Sequence, residues 1–337
     1  MTSGFLLACG LALGMIASDE SDPSMEDELT QQPSESTARL RWRRQTFGGL
    51  QFWSDVYYNQ EYRIQQHCLT GEHRLLDGKF KRLTTGDEPT CRSALQRLLA
   101  GREKPETPKE VVLLLHGIIR THHSMRGLAK YLERHGYGTY TVAYPSTRLA
   151  IERHAENLRR IVDGLDEADT IHLVGFSMGG LVIRSFLGDS PHPRIGRVVM
   201  LGTPNQGAMK ADWWHRNWGY RKVMGPAGQQ LQTGACGITT QLPQTLPVEF
   251  AVVAGARGNG RGYSWILEGD DDGTVSVAST RLAGARDFTT VRSLHTFLMT
   301  NRHAQEMVLR FLNEGSLRGE EHRSPIPLET RDETDEK

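Results

Sequence analysis

The most regular pattern in the chain is an alternation of apolar runs and amphipathic segments that begins at Glu110. The run Val-Val-Leu-Leu-Leu at 111–115 has no polar interruption, which is typical of a strand buried on both faces. Strands are also predicted at 139–143, 170–174, 198–201, 248–254 and 287–291, and helices at 124–135, 151–165, from 178 onward and at 301–313. Because strands alternate with helices, the pattern predicts an α/β fold with a mostly parallel sheet flanked by helices.

Residues 39–108 show a different pattern. Two pieces of strand character rich in aromatic residues, 52–58 and 62–64, are followed by turn residues such as Gly71. A short helical pattern then begins at Cys91. We predict a small β-rich module here, ahead of a main domain at 109–315.

Neither end of the chain shows such periodicity. Residues 1–18 contain an uncharged apolar run that resembles the central part of a signal peptide, although no basic residue precedes it. The run is too short for a membrane-spanning helix, which needs about 20 apolar residues. It predicts export or membrane anchoring, with a cytoplasmic location as the alternative. Residues 19–38 are acidic and residues 316–337 are charged, so we expect a disordered linker and a disordered tail.

Composition narrows the class of protein. The 337 residues include 40 Lys and Arg and 40 Asp and Glu, so the chain lacks the basic excess of nucleic-acid binders and we predict no such partner. Hydrophobic residues make up 38%, as in a soluble globular protein. Four cysteines are too few for a disulfide scaffold. Cys68 and Cys91 can pair if the protein is exported, and otherwise all four are expected to be buried thiols.

The strongest chemical signal is the hexapeptide Gly-Phe-Ser-Met-Gly-Gly at 175–180. It follows an apolar strand and opens a helix, which is the context in which a GxSxG motif exposes a nucleophilic serine on a sharp turn. The small neighbours make room for that turn, and the start of the helix favours negative charge nearby. The motif therefore predicts Ser177 as a nucleophile. An ordinary glycine-rich turn is the alternative.

On these residues the chain resembles the α/β-hydrolase superfamily, and more narrowly its lipase and serine-esterase branch. The resemblance extends over about 110–312. It also rests on Leu-His-Gly-Ile at 115–118, on Leu-Gly-Thr-Pro-Asn-Gln-Gly at 201–207, and on the order serine, acid, histidine along the chain. It implies an α/β-hydrolase fold and a Ser-His-Asp triad.

The resemblance assigns the other two members of the triad. The acid of this family typically precedes the Gly of an Asp-Gly-x-Val turn, which matches Asp272, with Asp270 and Asp271 as alternatives. His295 matches the histidine before the last helix. His303 is the rival, but the helical pattern places it within that helix.

The remaining site predictions concern the substrate. By position, the backbone N–H groups of Ile118 and Met178 are expected to form the oxyanion hole. The tryptophans Trp213, Trp214 and Trp218 are interpreted as an acyl pocket in a small cap, the alternative being a packed insertion. Since no metal-ligand or dinucleotide-binding spacing is present, no metal and no cofactor are predicted.

We therefore expect a serine hydrolase that cleaves carboxylic esters of small-molecule or lipid type through an acyl-Ser177 intermediate, with transient contact to a lipid interface. An acyltransferase, an amidase and a non-catalytic binding protein of the same fold stay open as alternatives. The oligomeric state is left unpredicted.

Overall fold

Two β-sheets organise the residues that the computed structural model describes, which are 49–59, 61–102, 108–188 and 192–328. From Leu50 onward these residues belong to one compact unit. The predicted signal peptide and acidic linker lie outside the described residues, as does the end of the predicted tail. Among the described residues, no helix combines the length and the apolar character that crossing a membrane requires.

The first sheet lies in the predicted β-rich module, and it is small and antiparallel. Its strands pair in sequence order and are β1 (Trp53–Asn59), β2 (Tyr62–His67), β3 (His73–Leu76) and β4 (Arg82–Gly86). Helix α1 (Glu88–Leu99) follows, and the Asp87 carboxylate caps it by accepting a hydrogen bond from the Thr90 N–H at 2.9 Å. Cys91 and Leu95 of this helix are buried against Ile64 and its neighbours in the sheet. Cys91 is a free thiol, as is Cys68.

The second sheet is six-stranded and entirely parallel. Its strands are β5 (Glu110–Leu115), β6 (Gly138–Val142), β7 (Thr170–Phe176), β8 (Ile195–Leu201), β9 (Phe250–Ala256) and β10 (Asp287–Arg292). They pair in the order β10-β9-β8-β7-β5-β6. The chain leaves β5 toward one edge and β7 toward the other, so the order reverses between these two strands. Such a switch point opens a crevice at the carboxyl ends of the strands.

Helices cover both faces of this sheet. In chain order they are α2 (Arg126–Glu133), α3 (Ile151–Gly164), α4 (Met178–Leu187), α5 (Met209–Trp214), α6 (Trp218–Gln230), α7 (Val277–Thr280) and α8 (Arg302–Glu314). Apolar residues of α2 and α8 share one core with Val112 and Val174 of the sheet. Right-handed crossovers place α3 and α4, which pack on each other, on the opposite face. The observed architecture confirms the predicted α/β-hydrolase fold.

A buried carboxylate joins the small sheet to the end of β6. Asp55 on β1 accepts hydrogen bonds from the Tyr58 hydroxyl at 2.6 Å, Arg63 Nη1 at 3.1 Å and Gln65 Nε2 at 2.8 Å. It also accepts one from the Ala143 N–H at 2.6 Å, while its own N–H donates to the Ala143 carbonyl at 2.8 Å. Since buried charges are tolerated only when paired and fully hydrogen-bonded, this network fixes β1 against the main sheet.

The predicted disorder of residues 316–337 is wrong for residues 316–328. The backbone N–H groups of Leu317 and Ser324 donate to the two carboxylate oxygens of buried Asp287 at 2.7 and 2.9 Å. The Leu317 side chain is buried in the main core. Disorder was predicted from the charged residues of this segment. The composition carries no signal for the hydrogen bonds between its backbone and the Asp287 carboxylate.

Removing the buried carboxylate tests its role in the fold. In Asp55→Ala the Arg63 guanidinium stays buried without its counter-ion, so we expect the free energy of unfolding in urea to fall by about 3 to 5 kcal/mol. Glu156→Ala is the matched control, because Glu156 pairs with Arg153 at the exposed surface and should cost less than about 1 kcal/mol. Equal losses in the two variants would contradict this account.

Candidate active site

Ser177 occupies a strained turn between β7 and α4. Its backbone has φ 55° and ψ −124°, a conformation that non-glycine residues rarely adopt. The turn is possible because residues 175 and 180 are glycines. A Cβ at Gly180 would lie 2.1 Å from Thr203 Oγ1, and one at Gly175 would lie 2.5 Å from the Gly180 nitrogen. The strain raises the Ser177 hydroxyl at the carboxyl edge of the sheet, as the GxSxG motif predicts.

His295 reaches this hydroxyl from the loop after β10. Its Nε2 lies 3.0 Å from Ser177 Oγ. The loop comes close to β8, where a Cβ on Gly202 would lie 3.2 Å from His295 Nδ1. Because Gly202 has no side chain, the His295 imidazole fits close to the end of β8.

Asp272 fixes the orientation of the imidazole. Its Oδ2 lies 2.6 Å from His295 Nδ1, and its Oδ1 accepts hydrogen bonds from the N–H groups of Thr274 at 2.9 Å and Val275 at 2.7 Å. The backbone N–H of His295 donates to the backbone carbonyl of Asp272 at 2.8 Å. Because the carboxylate can only accept, His295 Nδ1 is the donor and the neutral ring presents Nε2 as an acceptor toward Ser177.

The alternative acid and base residues lie elsewhere. Asp270 accepts the Arg257 N–H at 2.9 Å, and Asp271 accepts the Ser264 N–H at 3.0 Å, so each carboxylate holds loop backbone. Desolvation acts to raise the pKa of Asp270, but its backbone hydrogen bonds outweigh it and lower that pKa, whereas burial raises the pKa of Asp271. The side chain of His303 is 77% exposed on α8 and faces solvent. The structure therefore brings Asp272 and His295 to Ser177.

The loop after β5 lies directly beside the serine. A Cβ on Gly117 would stand 3.0 Å from Ser177 Cβ, so the next residue, Ile118, lies within the same loop at the site. Met178 is the first residue of α4, where backbone N–H groups have no partner within the helix. His116 shapes the loop: its Nδ1 bonds the Gly117 carbonyl at 2.8 Å.

Tyr144, after β6, supports this loop and was not singled out from the sequence. Its ring stacks on that of His116 with centroids 4.0 Å apart, and its hydroxyl donates to the His116 carbonyl. No motif marks Tyr144, because its role depends on the pairing of β5 with β6.

The segment with the three tryptophans, predicted as a cap, contains α5 and α6. It packs on the loop after β5, since a Cβ on Gly228 would lie 3.3 Å from Ile118 Cδ1. Trp214 is half-buried, whereas Trp213 and Trp218 are exposed. In this conformation Trp213 and Trp218 therefore face solvent and do not line a closed pocket.

Helices α5 and α6 and the loops around Asp272 and His295 carry exposed apolar side chains. Gly273, next to Asp272, is close to several of these segments. Its carbonyl accepts a hydrogen bond from Lys210 Nζ of α5, and a Cβ on it would lie 3.4 Å from Leu294 and 3.7 Å from Tyr263. We call this set the apolar rim: Met209, Trp213, Trp218, Val223, Tyr263, Trp265, Leu294 and Phe297. Of these residues, sequence reasoning proposed only Trp213 and Trp218 as substrate contacts, because a single exposed apolar side chain belongs to no motif.

Comparison with known proteins agrees with the fold. A family model described as the alpha/beta hydrolase fold matches residues 110–230, which include the β5 loop and the strained serine. This part of the chain therefore has the α/β-hydrolase fold. No curated protein sequence matches this hydrolase-fold chain significantly.

Solved structures with the α/β-hydrolase fold are similar to this chain. The mature lipase BlEst2 of Bacillus licheniformis gives a TM-score of 0.50 with 22% sequence identity, over 64% of this chain and 95% of that chain. Phospholipase PlaB of Legionella pneumophila gives 0.47 with 15% identity, over 63% and 60%. Carboxylesterase CesB of Bacillus subtilis gives 0.43 with 15% identity, over 82% and 98%. The 22% identity with BlEst2 indicates a shared fold and does not by itself transfer a substrate.

Two buried histidines, His116 in the loop after β5 and His154 near it, stay neutral at neutral pH. Burial lowers the pKa of His116 to about 4 and that of His154, on α3, to about 3. The Tyr144 ring lies between them, 4.0 Å from His116 and 4.8 Å from His154 between ring centroids. Since an imidazole in the unfolded chain titrates near pH 6.5, the unfolded state binds more protons below that pH.

The stability of the fold should therefore fall on acidification. This contribution is complete above about pH 6.5 and is lost as the pH falls toward the folded pKa values. His154→Phe keeps a ring against Tyr144 and removes one titrating group. Between pH 7 and pH 5, we expect the unmodified protein to lose about 2 kcal/mol more unfolding free energy in urea than this variant. Parallel losses in both proteins would show that His154 does not contribute.

Proposed function

We propose that this protein is a serine hydrolase that cleaves carboxylic esters through an acyl-Ser177 intermediate. The observation that carries the proposal is the unbroken hydrogen-bond chain from Asp272 through His295 to Ser177, with distances of 2.6 and 3.0 Å. Serine alone is a weak nucleophile, and a base with an orienting acid is the arrangement that activates it. The fold, shared with a lipase, supports ester hydrolysis as the reaction.

The geometry supports a two-step reaction. His295 Nε2 takes the proton of Ser177 Oγ as that oxygen attacks the ester carbonyl carbon, and Asp272 stabilises the resulting imidazolium. The negative oxygen of the tetrahedral intermediate would accept hydrogen bonds from the N–H groups of Ile118 and Met178. The carbon–oxygen ester bond then breaks, and His295 gives its proton to the departing alcohol. Water attacks the acyl-serine by the same route and releases the acid.

Other acceptors would give other activities from the same intermediate. An alcohol or thiol in place of water makes the protein an acyltransferase, and an amide substrate makes it an amidase. A binding protein without turnover would not need the buried alignment of Asp272 on His295. Ester hydrolysis is the proposal that needs no further component.

We further propose that the apolar rim contacts a lipid surface that supplies the ester. The Trp265 side chain is 82% exposed and that of Trp218 is 74% exposed, which is unusual for the most apolar aromatic residue type. Exposed basic residues lie on the same segments as the rim: Arg216, Arg221, Lys222, Arg257 and Arg261. Tryptophan together with basic residues suits the interface of an anionic lipid layer. Export or anchoring by residues 1–18 belongs to this proposal.

Substitutions of the triad test the proposed chemistry. Hydrolysis of p-nitrophenyl esters should fall by at least about 10³-fold in Ser177→Ala and in His295→Ala. The first variant lacks the nucleophile and the second lacks the base that takes its proton. Asp272→Asn should cost about 10⁴-fold in kcat because the imidazole loses its partner at Nδ1.

The neighbouring residues supply matched controls. Asp270→Asn and His303→Ala should retain kcat within a few-fold, because neither side chain reaches Ser177. A loss confined to Asp270→Asn would relocate the acid, and full activity in Ser177→Ala would refute the proposal. Thermal unfolding of each variant distinguishes lost chemistry from lost folding.

Vesicle binding tests the lipid contact separately from turnover. The inactive Ser177→Ala protein is expected to sediment with vesicles that contain phosphatidylglycerol and less with pure phosphatidylcholine. Adding Trp265→Ser should weaken that binding about ten-fold, because a large apolar side chain is lost from the contact. Leu69→Ser is the control, since Leu69 is 72% exposed on the small sheet. Equal weakening by both changes would contradict a specific rim.

A further inference from the structure

The loop after β5 contains a second strained residue. Ile119 has φ 55°, a left-handed conformation that is unfavourable for a β-branched side chain. It follows Ile118, whose N–H is proposed above to bind the oxyanion. Strain of this kind persists only where the surrounding structure holds it in place. The orientation of the Ile118 N–H therefore depends on what restrains this loop.

Two side chains from outside the loop hold it on either side of the strained residue. The Tyr144 hydroxyl donates to the His116 carbonyl before it. Gln51 Nε2 donates to the Arg120 carbonyl after it, at 2.8 Å. Between these two points only three residues, 117–119, are left to adjust.

The hydrogen-bond partners of Gln51 allow its side-chain amide only one orientation. It lies just before β1 and is 1% exposed. The Arg120 carbonyl can only accept, so the side-chain nitrogen of Gln51 must face it. Its Oε1 faces the hydroxyls of Ser146 and Thr147, in the loop after β6, at 3.3 and 3.4 Å. One side chain thus ties the loop after β5 to the loop after β6.

We propose that Gln51 is a positioning residue that holds the loop after β5 in the conformation that presents the Ile118 N–H to the oxyanion. The small sheet is then part of the support of the active site, since β1 is itself fixed to Ala143 through Asp55. This inference rests on the proposed ester hydrolysis. It assigns a function to a segment that precedes the α/β core in the sequence.

Gln51→Met is the first test, because methionine has a similar length and cannot donate to Arg120. We expect kcat for a p-nitrophenyl ester to fall about 10-fold to 100-fold, with KM within about two-fold, because misplacement of an oxyanion donor acts on the transition state. The inhibition constant of a trifluoromethyl ketone, which forms a tetrahedral adduct with the serine, should rise by the same factor.

Gln66→Met is the matched control. Gln66 is a half-buried glutamine on β2 of the small sheet, and its Oε1 accepts a hydrogen bond from Arg160 Nη1 at 3.2 Å, outside the Asp55 network. It should lower the melting temperature of the protein and retain kcat. An equal loss of kcat in both variants would overturn the inference, because general loosening of the sheet would then explain it.

A pH profile supplies a readout that a purely structural role would not change. In Gln51→Glu the carboxylate cannot donate to the Arg120 carbonyl, whereas the protonated acid can. Burial raises the pKa of such a carboxyl group. The ratio of its kcat to that of the unmodified protein should therefore recover as the pH is lowered, while the ratio for Gln51→Met stays constant. This near-isosteric variant also serves if Gln51→Met fails to fold.

The outcomes separate this inference from the proposed function. If the unmodified protein does not hydrolyse esters, the proposed function fails. If it does and Gln51→Met has unchanged kcat and inhibitor affinity, or if the kcat ratio of Gln51→Glu does not change with pH, the role of Gln51 is refuted.

Discussion

The site depends on close packing of backbone around Ser177. Gly175 lets α4 approach β7, and Gly180 lets α4 approach Thr203 after β8, at distances that a Cβ would not permit. Ser177, between these two glycines, has a positive φ. The same approach brings Gly117 of the neighbouring strand's loop to within contact of the serine. A larger residue at any of these positions would displace the hydroxyl from the histidine or the loop from the hydroxyl. Sterics, more than any single hydrogen bond, therefore determine the geometry of the site.

Parallel strands explain why distant parts of the chain meet at this point. The carboxyl ends of β5, β7, β8, β9 and β10 lie along one edge of the sheet, so each following loop can contribute to one crevice. Ser177 follows β7 and His295 follows β10. Asp272 lies in the segment after β9, where a Cβ on Gly255 would stand 2.7 Å from Asp272 Cβ. The strand order thus brings together a serine and a histidine that are 118 residues apart.

Features with a local sequence signal were predictable. The apolar runs gave the strands of the main sheet to within a few residues, and the GxSxG motif gave the strained turn, because both depend on neighbouring residues. Asp272 and His295 were selected through the family resemblance, and the structure brings both to Ser177. Features that depend on contacts distant in the sequence were not predictable. Tyr144 and the ordered segment 316–328 carry no local pattern, since each is held by a backbone or side-chain group far along the chain.

The small sheet shows how such distant contacts extend the site beyond the α/β core. A carbonyl in a strained loop needs a donor at a fixed place, and Gln51 supplies one to the Arg120 carbonyl from outside the loop. Because Gln51 lies just before β1, its position depends on the attachment of the small sheet to the core. The buried Asp55, which accepts the Ala143 N–H, provides that attachment by holding β1 against the end of β6. The polar network between the two sheets and the presentation of the Ile118 N–H are therefore parts of one mechanical connection.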